Sequence, residues 1–185
     1  MRREWDAIVV GASFAGLAAA MELRGHGRVL VLDKDPVGEH QTSACGTPLA
    51  VLERLQATAA LEQVHEELVF HLPGGRVRRY RPAYAYATFD YRAFCRILAA
   101  RTDAEIVQAR VLGREAGRVR TSLGDFEATI LIDASGWRSV LAARPAARGA
   151  SAGPRTVGLE VALPRRGNGL HFWLGDELAR DGYLW

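Results

Sequence analysis

Trp5-Asp-Ala-Ile-Val-Val-Gly11-Ala-Ser-Phe-Ala-Gly16-Leu-Ala-Ala-Ala-Met-Glu-Leu23 is the stretch whose reading decides the fold. Ile8, Val9 and Val10 form a short, wholly apolar run, the mark of a strand buried on both faces. Gly11 permits a tight turn, and Phe14 to Leu23 follow as a helix whose alanines let it approach a sheet closely. Strand, glycine turn and helix N-terminus leave free backbone N–H groups and a positive dipole end aimed at one spot, where a pyrophosphate fits without a charged side chain. The next strand, Val29-Leu-Val-Leu32, ends in Asp33, 22 residues after Gly11. A dinucleotide-binding βαβ unit places there a carboxylate that accepts from ribose hydroxyls. The pattern is G-x-S-x-x-G, with Ser13 in place of the middle glycine. Serine is small enough to leave the backbone accessible, and its hydroxyl can donate to phosphate. The alternative is a plain βαβ turn with a chance acid. Preceding strand, following helix, second strand and acidic end coincide here, and together they predict that the turn binds a dinucleotide.

A chain of 185 residues can bury a good core as one domain or slightly more. Its 49% apolar and 24% charged residues are the proportions of a soluble globular protein, and a net charge of +3 is too small to argue for nucleic acid. Lys34 is the only lysine among 24 basic residues, and such arginine heaviness beside abundant alanine suggests coding bias. The apolar runs are all shorter than a membrane span, and Met1-Arg-Arg-Glu-Trp-Asp leads straight into the first strand, without room for a signal peptide. Two cysteines, Cys45 and Cys95, imply no disulfide framework. These features predict a cytoplasmic protein with no transmembrane segment and no nucleic-acid partner.

Beyond Asp33, Lys34 to Pro48 is rich in Gly, Pro, Ser and Thr and reads as a loop of about fifteen residues, a length that is usually functional. Thr47 is a candidate N-cap and Pro48 a first-turn residue for a short helix carrying Leu49, Leu52, Leu55 and Gln56. Glu67 to Leu72, the turn Pro73-Gly-Gly75 and Arg76 to Tyr80 predict a hairpin, followed by a strand over Ala83 to Phe89 and an Asp90-capped helix with Phe94, Ile97 and Leu98 on one face. Ala104 to Val111 reads as a strand returning to the main sheet. Gly117 to Ser122 and Phe126 to Ile132 read as an antiparallel pair around Leu123-Gly-Asp125, and a helix start is expected at Trp137-Arg-Ser-Val140. After an Ala/Arg/Gly/Pro connector, Thr156 to Leu163 and Leu170 to Leu174 predict strands of a second sheet. The chain is expected to be cut short, since it stops at Trp185 within a strand-like pattern.

Four features in this order resemble FAD-dependent oxidoreductases of the geranylgeranyl reductase and aromatic hydroxylase type: Val10-Gly-Ala-Ser-Phe-Ala-Gly16, the Cys45-Gly46 loop, Phe89-Asp-Tyr-Arg-Ala-Phe-Cys95, and Ile132-Asp-Ala-Ser-Gly-Trp-Arg-Ser139. Gly182-Tyr-Leu-Trp185 resembles the strand that in this family leads to a later glycine-aspartate motif. The resemblance covers the N-terminal part of the family's usual length. It implies an α/β fold: a Rossmann-like FAD-binding domain over residues 1–150, with an antiparallel β insert and a hairpin at 66–89. The start of a β-rich substrate domain would occupy 151–185.

The resemblance also implies roles. Gly11, Ser13, Ala15 and Gly16 would hold the FAD pyrophosphate, in a turn completed by Ala12 and Phe14. Asp33 would hold the adenosine ribose, with Lys34 beside it. Val111 matches a position whose backbone meets the adenine. Cys45 and Gly46 match a loop near the flavin ring, and Arg92, or its neighbour Tyr91, falls near a cofactor-facing arginine. Ala134-Ser135-Gly136 matches the turn beside the bound FAD, with Ser135 where the hydroxylases carry Asp. The implied chemistry is reduction of the flavin by NAD(P)H, then reduction of a prenyl-type alkene or oxygen-dependent hydroxylation of a small, lipid-like or aromatic substrate.

Two other readings stand beside it: a non-catalytic, truncated FAD-binding fragment, and an NAD(P)-dependent dehydrogenase. The antiparallel pair at Gly117 to Ile132 argues against the dehydrogenase, which calls for regular βα repeats. Asp35 competes with Asp33 for the ribose. Cys45, in a polar loop beside a glycine, is read either as a partly accessible thiol near the flavin or as an inert small residue. The arginines at 76, 78, 79 and 81 read as a solvated strand face or as an attractor for an anionic substrate. His26, His40, His65, His71 and His171 show no metal spacing.

Overall fold

The computed structural model describes residues 5–41, 43–136, 139–142, 167, 169–175 and 183–184. Along the chain the elements are β1 (Trp5–Val10), α1 (Phe14–Glu22), β2 (Val29–Asp33), β3 (Gly46–Pro48), α2 (Leu49–Arg54), β4 (Leu61–His65), β5 (Leu68–Leu72), β6 (Arg76–Tyr80), β7 (Tyr86–Phe89), α3 (Tyr91–Ala99), β8 (Glu105–Gln108), β9 (Val111–Glu115), β10 (Arg118–Thr121), β11 (Gly124–Asp133), β12 (Leu170–Leu174) and β13 (Tyr183–Leu184). They form two compact units, Met1–Ser43 with Tyr91–Ala150 and Ala44–Asp90 with Ser151–Trp185.

The first unit is a six-stranded sheet in the order β8-β2-β1-β11-β10-β9. The first four strands in that order are parallel, and the last two join antiparallel. Wholly apolar runs make the central strands: Ile8, Val9, Leu30, Val31 and Leu32 are fully buried, as a sheet covered on both faces requires. The helix α1 lies against β1 and β2, with Leu17 and Ala20 buried. The ten-residue β11 has two partners. Its first residues pair with β10, and Ala128 to Asp133 pair with β1. The β9–β11 meander also adds Val119 and Ala128 to the core of Trp5, Ile8, Val10, Leu30 and Leu32, with Val111, Phe126 and Leu131 packed against it.

Several expectations need correction here. The strand read over Ala104 to Val111 ends at Gln108, and Val111 opens a separate strand, β9. The turn between β10 and β11 is Ser122-Leu123, because Thr121 already pairs with Gly124. No helix starts over residues 139–142. Ser139 donates its hydroxyl and Leu141 its N–H to Asp133, while Val140 N–H goes to the Ser135 hydroxyl. Side-chain acceptors thus take the N–H groups that a helix needs. Trp137 and Arg138 lie outside the described residues.

The second unit has a four-stranded sheet, β13-β12-β5-β6, and a three-stranded one, β3-β7-β4. The predicted hairpin is present as β5 and β6 around Pro73–Gly75, and β12 pairs in parallel with β5. Thr47 is not a cap, since it pairs with Ala87 in β3, and Pro48 itself takes the N-cap position of α2. The strand β4, unforeseen from the sequence, pairs with β7. The strand expected over 156–163 lies outside the described residues. No helix among the described residues is long and apolar enough to cross a membrane.

Candidate functional site

Four parallel strands of the first unit end level with one another. Val10 stands opposite both Leu32 and Asp133. The ladder then runs one residue past each strand: Gly11 N–H donates to Leu32 O at 2.8 Å, Ala134 N–H to Val10 O at 2.8 Å, and Ala109 N–H to Asp33 O at 2.6 Å. The glycine turn, the acidic end of β2 and the Ala134 turn are thereby brought to one edge. In open α/β sheets, ligands bind at these carboxyl ends.

At that edge the two glycines act as spacers. Gly11 has φ +109°, and a Cβ there would lie 2.4 Å from the Ala134 carbonyl oxygen. A Cβ on Gly16 would lie 1.9 Å from Gly11 O and 3.3 Å from Ala134 Cβ. Glycine at 11 is therefore required by the neighbouring protein turn as well as by the backbone conformation.

Ser13 occupies the N-cap position of α1 in extended conformation, without a side-chain cap bond, and the first helical turn carries no acidic residue. The first bond into the helix is Leu17 N–H to Ser13 O at 2.9 Å, so Ala15 and Gly16 keep N–H groups without an intrahelical acceptor. This end of the dipole is open to an anion.

Asp33 joins the edge to the turn. Its Oδ2 accepts from Ala12 N–H at 2.6 Å and its Oδ1 from Asp35 N–H at 2.9 Å. A carboxylate has about four acceptor sites, which leaves capacity for hydroxyl donors. Asp35 is engaged elsewhere, with Lys34 Nζ and with His40 at 3.5 Å.

The Ala134-Ser135-Gly136 turn is built by a residue that the sequence reading passed over. Asp133 Oδ1 accepts from the N–H and hydroxyl of Ser135, at 3.1 and 2.5 Å, and Oδ2 from the Ser139 hydroxyl and Leu141 N–H, at 2.9 and 2.8 Å. Partial burial pushes the Asp133 carboxyl up, but these hydrogen bonds outweigh it and hold the group below its ordinary value. The signal for it was an acid ending an apolar strand with serine two residues on, the composition of an Asx turn.

Beside the turn lies α3. Tyr91 is buried, its ring edge-on to Phe14 at 6.3 Å, and its hydroxyl donates to Ser13 Oγ at 2.9 Å. Arg92 is exposed and pairs with Glu39 at 3.0 Å, alongside Arg96 at 3.3 Å. Of the two neighbours offered for the cofactor-facing position, Tyr91 is the one in contact with the turn. Burial pushes the Cys95 thiol up, against hydrogen bonds to Tyr91 and the Phe14 backbone. Val111 sits opposite Thr121 at the start of β9. Cys45 and Gly46 belong to the other unit. Of the two readings of Cys45, the accessible thiol does not hold: the residue is 7% exposed, at φ +39°, and its carbonyl accepts from Phe89 N–H at 3.1 Å.

Such a sheet, with an open helix N-terminus between a carboxylate and a second strand-end turn, defines a dinucleotide-binding α/β domain. The chain belongs to the FAD binding domain family, which it matches over residues 6–162. No curated protein sequence matches it. Among solved structures its fold is similar to that of Pseudomonas aeruginosa PqsL in complex with 2-aminobenzoylacetate, with TM-score 0.60, 18% identity and coverage of 73% of this chain and 44% of that one. Another structure of PqsL is described as a probable FAD-dependent monooxygenase. Similar folds are found in 2-methyl-3-hydroxypyridine-5-carboxylic acid oxygenase, with TM-score 0.58, 21% identity and coverage of 74% and 41%. A geranylgeranyl bacteriochlorophyll reductase-like protein from Thermoplasma acidophilum is also similar, with TM-score 0.57, 18% identity and coverage of 75% and 43%. The chain spans less than half the length of each of these proteins.

Proposed function

We propose that the chain is the FAD-holding part of an oxidoreductase that draws electrons from NAD(P)H in the cytoplasm and acts on a small, lipid-like or aromatic molecule. The observation that carries this reading is the convergence of Gly11, Asp33 and Ala134 at one sheet edge, with the α1 N-terminus open between them. The residues present fit FAD. An anion-receiving helix end lies one hydrogen bond from a carboxylate, as a pyrophosphate followed by a ribose requires.

In this reading Ala15, Gly16 and the Ser13 hydroxyl hold the pyrophosphate, and Asp33 accepts from the adenosine ribose. Ala12 and Phe14 shape the turn, and Lys34 flanks it. The Val111 backbone meets the adenine, and Ala134-Ser135-Gly136 lies along the bound cofactor. Arg92 would serve as a further cofactor contact, and Cys45 and Gly46, which belong to the other unit, would serve the flavin ring. Residues 151–185 open the substrate sheet, which the pairing of β12 with β5 extends to the hairpin. FAD, when bound, supplies the two-electron chemistry, and the protein binds, orients and shields it. The net reaction is addition of a hydride equivalent from NAD(P)H and a proton from solvent across a prenyl-type alkene, or hydroxylation, in which NAD(P)H and a proton supply the two electrons and hydrogen that let one atom of O2 enter the substrate and the other leave as water.

The test is the absorption spectrum of the purified chain, followed by heat release and identification of the chromophore. Released FAD supports the reading, and a protein that neither retains nor binds FAD refutes it. NAD(P)H oxidation with and without O2 then separates hydroxylation from alkene reduction.

A further inference from the structure

We infer that Tyr91 is a positioning residue for the phosphate turn: by donating to Ser13 Oγ it commits the Ser13 proton outward, making that hydroxyl a dedicated donor to a diphosphate oxygen. The inference rests on the FAD reading above and deepens it. An N-cap serine usually turns its oxygen inward to accept an N–H from the first helical turn. Ser13 does not, for its side chain makes no cap bond, and its oxygen accepts from Tyr91 at 2.9 Å instead. Two consequences follow. The N–H groups of the first turn stay available for an anion, and Ser13 has a proton to place. A hydroxyl carries one proton and two lone pairs. With the more acidic phenol donating into one lone pair, the serine proton must point elsewhere, and the outward side is the open helix end.

Tyr91 is well suited to fix that choice. It begins α3 and is only 6% exposed. Its ring meets Phe14 at 76° between planes, and Phe14 in turn packs on Phe94 at 6.2 Å. Cys95, one turn further along α3, is fully buried. The phenol oxygen therefore cannot swing away without breaking the α1–α3 contact. Tyrosine and serine are 78 residues apart in sequence and joined by one hydrogen bond.

The experiment is a double-mutant cycle on FAD binding, read by flavin fluorescence with the full chain: wild type, Ser13→Ala, Tyr91→Phe and both together. Ser13→Ala should weaken FAD about tenfold and Tyr91→Phe about threefold. The double variant should be no weaker than Ser13→Ala, because Tyr91 acts only through the serine. If the two losses multiply, the inference is overturned and Tyr91 is merely structural. If wild type binds no FAD, the reading under Proposed function falls and this one with it. If wild type binds and Tyr91→Phe is silent, only this inference falls. Should Tyr91→Phe fail to fold, Phe94→Leu loosens the ring stack that holds Tyr91 through Phe14 while sparing the phenol hydroxyl. It should then weaken FAD with Ser13 present and have no effect in Ser13→Ala, and an equal loss in both backgrounds overturns the inference.

Discussion

Gly11→Ala should damage the protein before any ligand is present. A Cβ at Gly11 lies 2.4 Å from Ala134 O, 2.7 Å from Ala134 C and 3.2 Å from Ser135 N. All three are backbone atoms, in a turn anchored by Ala134 N–H on Val10 O and by the Asp133 carboxylate, so no flexible side chain can yield. Two costs add: holding an L-residue at φ +109° costs about 1–3 kcal/mol, and overpacking a filled site costs about 1–3 kcal/mol more. Gly124 separates them, because its φ is +120° and a Cβ there meets nothing within 4 Å. Gly124→Ala should therefore carry only the backbone cost. The expected losses of unfolding free energy in the cofactor-free chain are about 1–3 kcal/mol for Gly124→Ala and about 2–6 kcal/mol for Gly11→Ala. The larger figure is a substantial part of a domain's usual ~5–15 kcal/mol. Both changes are Gly→Ala, so the gain from a stiffer unfolded chain is common to both and cancels. Urea melts followed by circular dichroism give the two numbers. Equal losses would refute the claim that the Ala134 turn is what demands glycine at position 11.

Asp33→Ala should weaken FAD by about 1.5–3 kcal/mol, since it removes the proposed ribose acceptor and strands Ala12 N–H, whereas Asp35→Ala should leave affinity within about twofold; a flavin titration of both variants decides. Asp133 titrates below the ordinary carboxylate value of 3.8, so its stabilisation is fully present above that value and fades as pH falls through it toward the lower folded value. Wild type should accordingly be more stable than Asp133→Asn at neutral pH, with the gap closing below about pH 4, as denaturant midpoints across pH will show. Both cysteines are buried, so a thiol reagent should label neither in the native chain and both after denaturation. Rapid labelling of Cys45 in the folded protein would revive the accessible-thiol reading.

The β1–α1–β2 unit was legible because each local signal agreed with the whole: an apolar run, a glycine needing positive φ, small residues facing a sheet, and an acid at the strand end. What escaped depended on partners distant in sequence. The strand β4 alternates exposed and half-buried residues and becomes a strand through pairing with β7. Thr47 and Pro48 have the composition of a helix start but pair with Ala87 and Tyr86 instead. Cys45 reads as exposed from its polar neighbours, yet pairing around Gly46 and Phe89 buries it. At the sheet edge, sequence spacing placed Gly11 in the turn after β1 and Asp33 at the end of β2. It carried no hint that Tyr91 reaches Ser13, or that Asp133 folds four donors around itself.

Those missed contacts bear on how the edge, as the proposed FAD site, would bind an anion without first rearranging. Ala12 N–H is held by Asp33, Gly11 N–H by Leu32, Ala134 N–H by Val10, and Ser135 by Asp133. Each bond fixes a backbone segment that would otherwise lose conformational freedom when a ligand arrived, at roughly 1–2 kcal/mol per residue. Because that ordering is supplied on folding, binding need not repeat it, and more of the interaction with a diphosphate remains as affinity. The same logic applies to Asp33 in the proposed site. A carboxylate pinned by Ala12 and Asp35 keeps its remaining lone pairs in fixed directions, so one residue both braces the turn and presents an acceptor. Asparagine at position 33 tests that double role. It retains an acceptor oxygen for Ala12 N–H but loses the one that takes Asp35 N–H and removes the charge, so FAD affinity by flavin titration should fall by more than the unfolding free energy of the cofactor-free chain in urea melts, and equal losses would refute the double role.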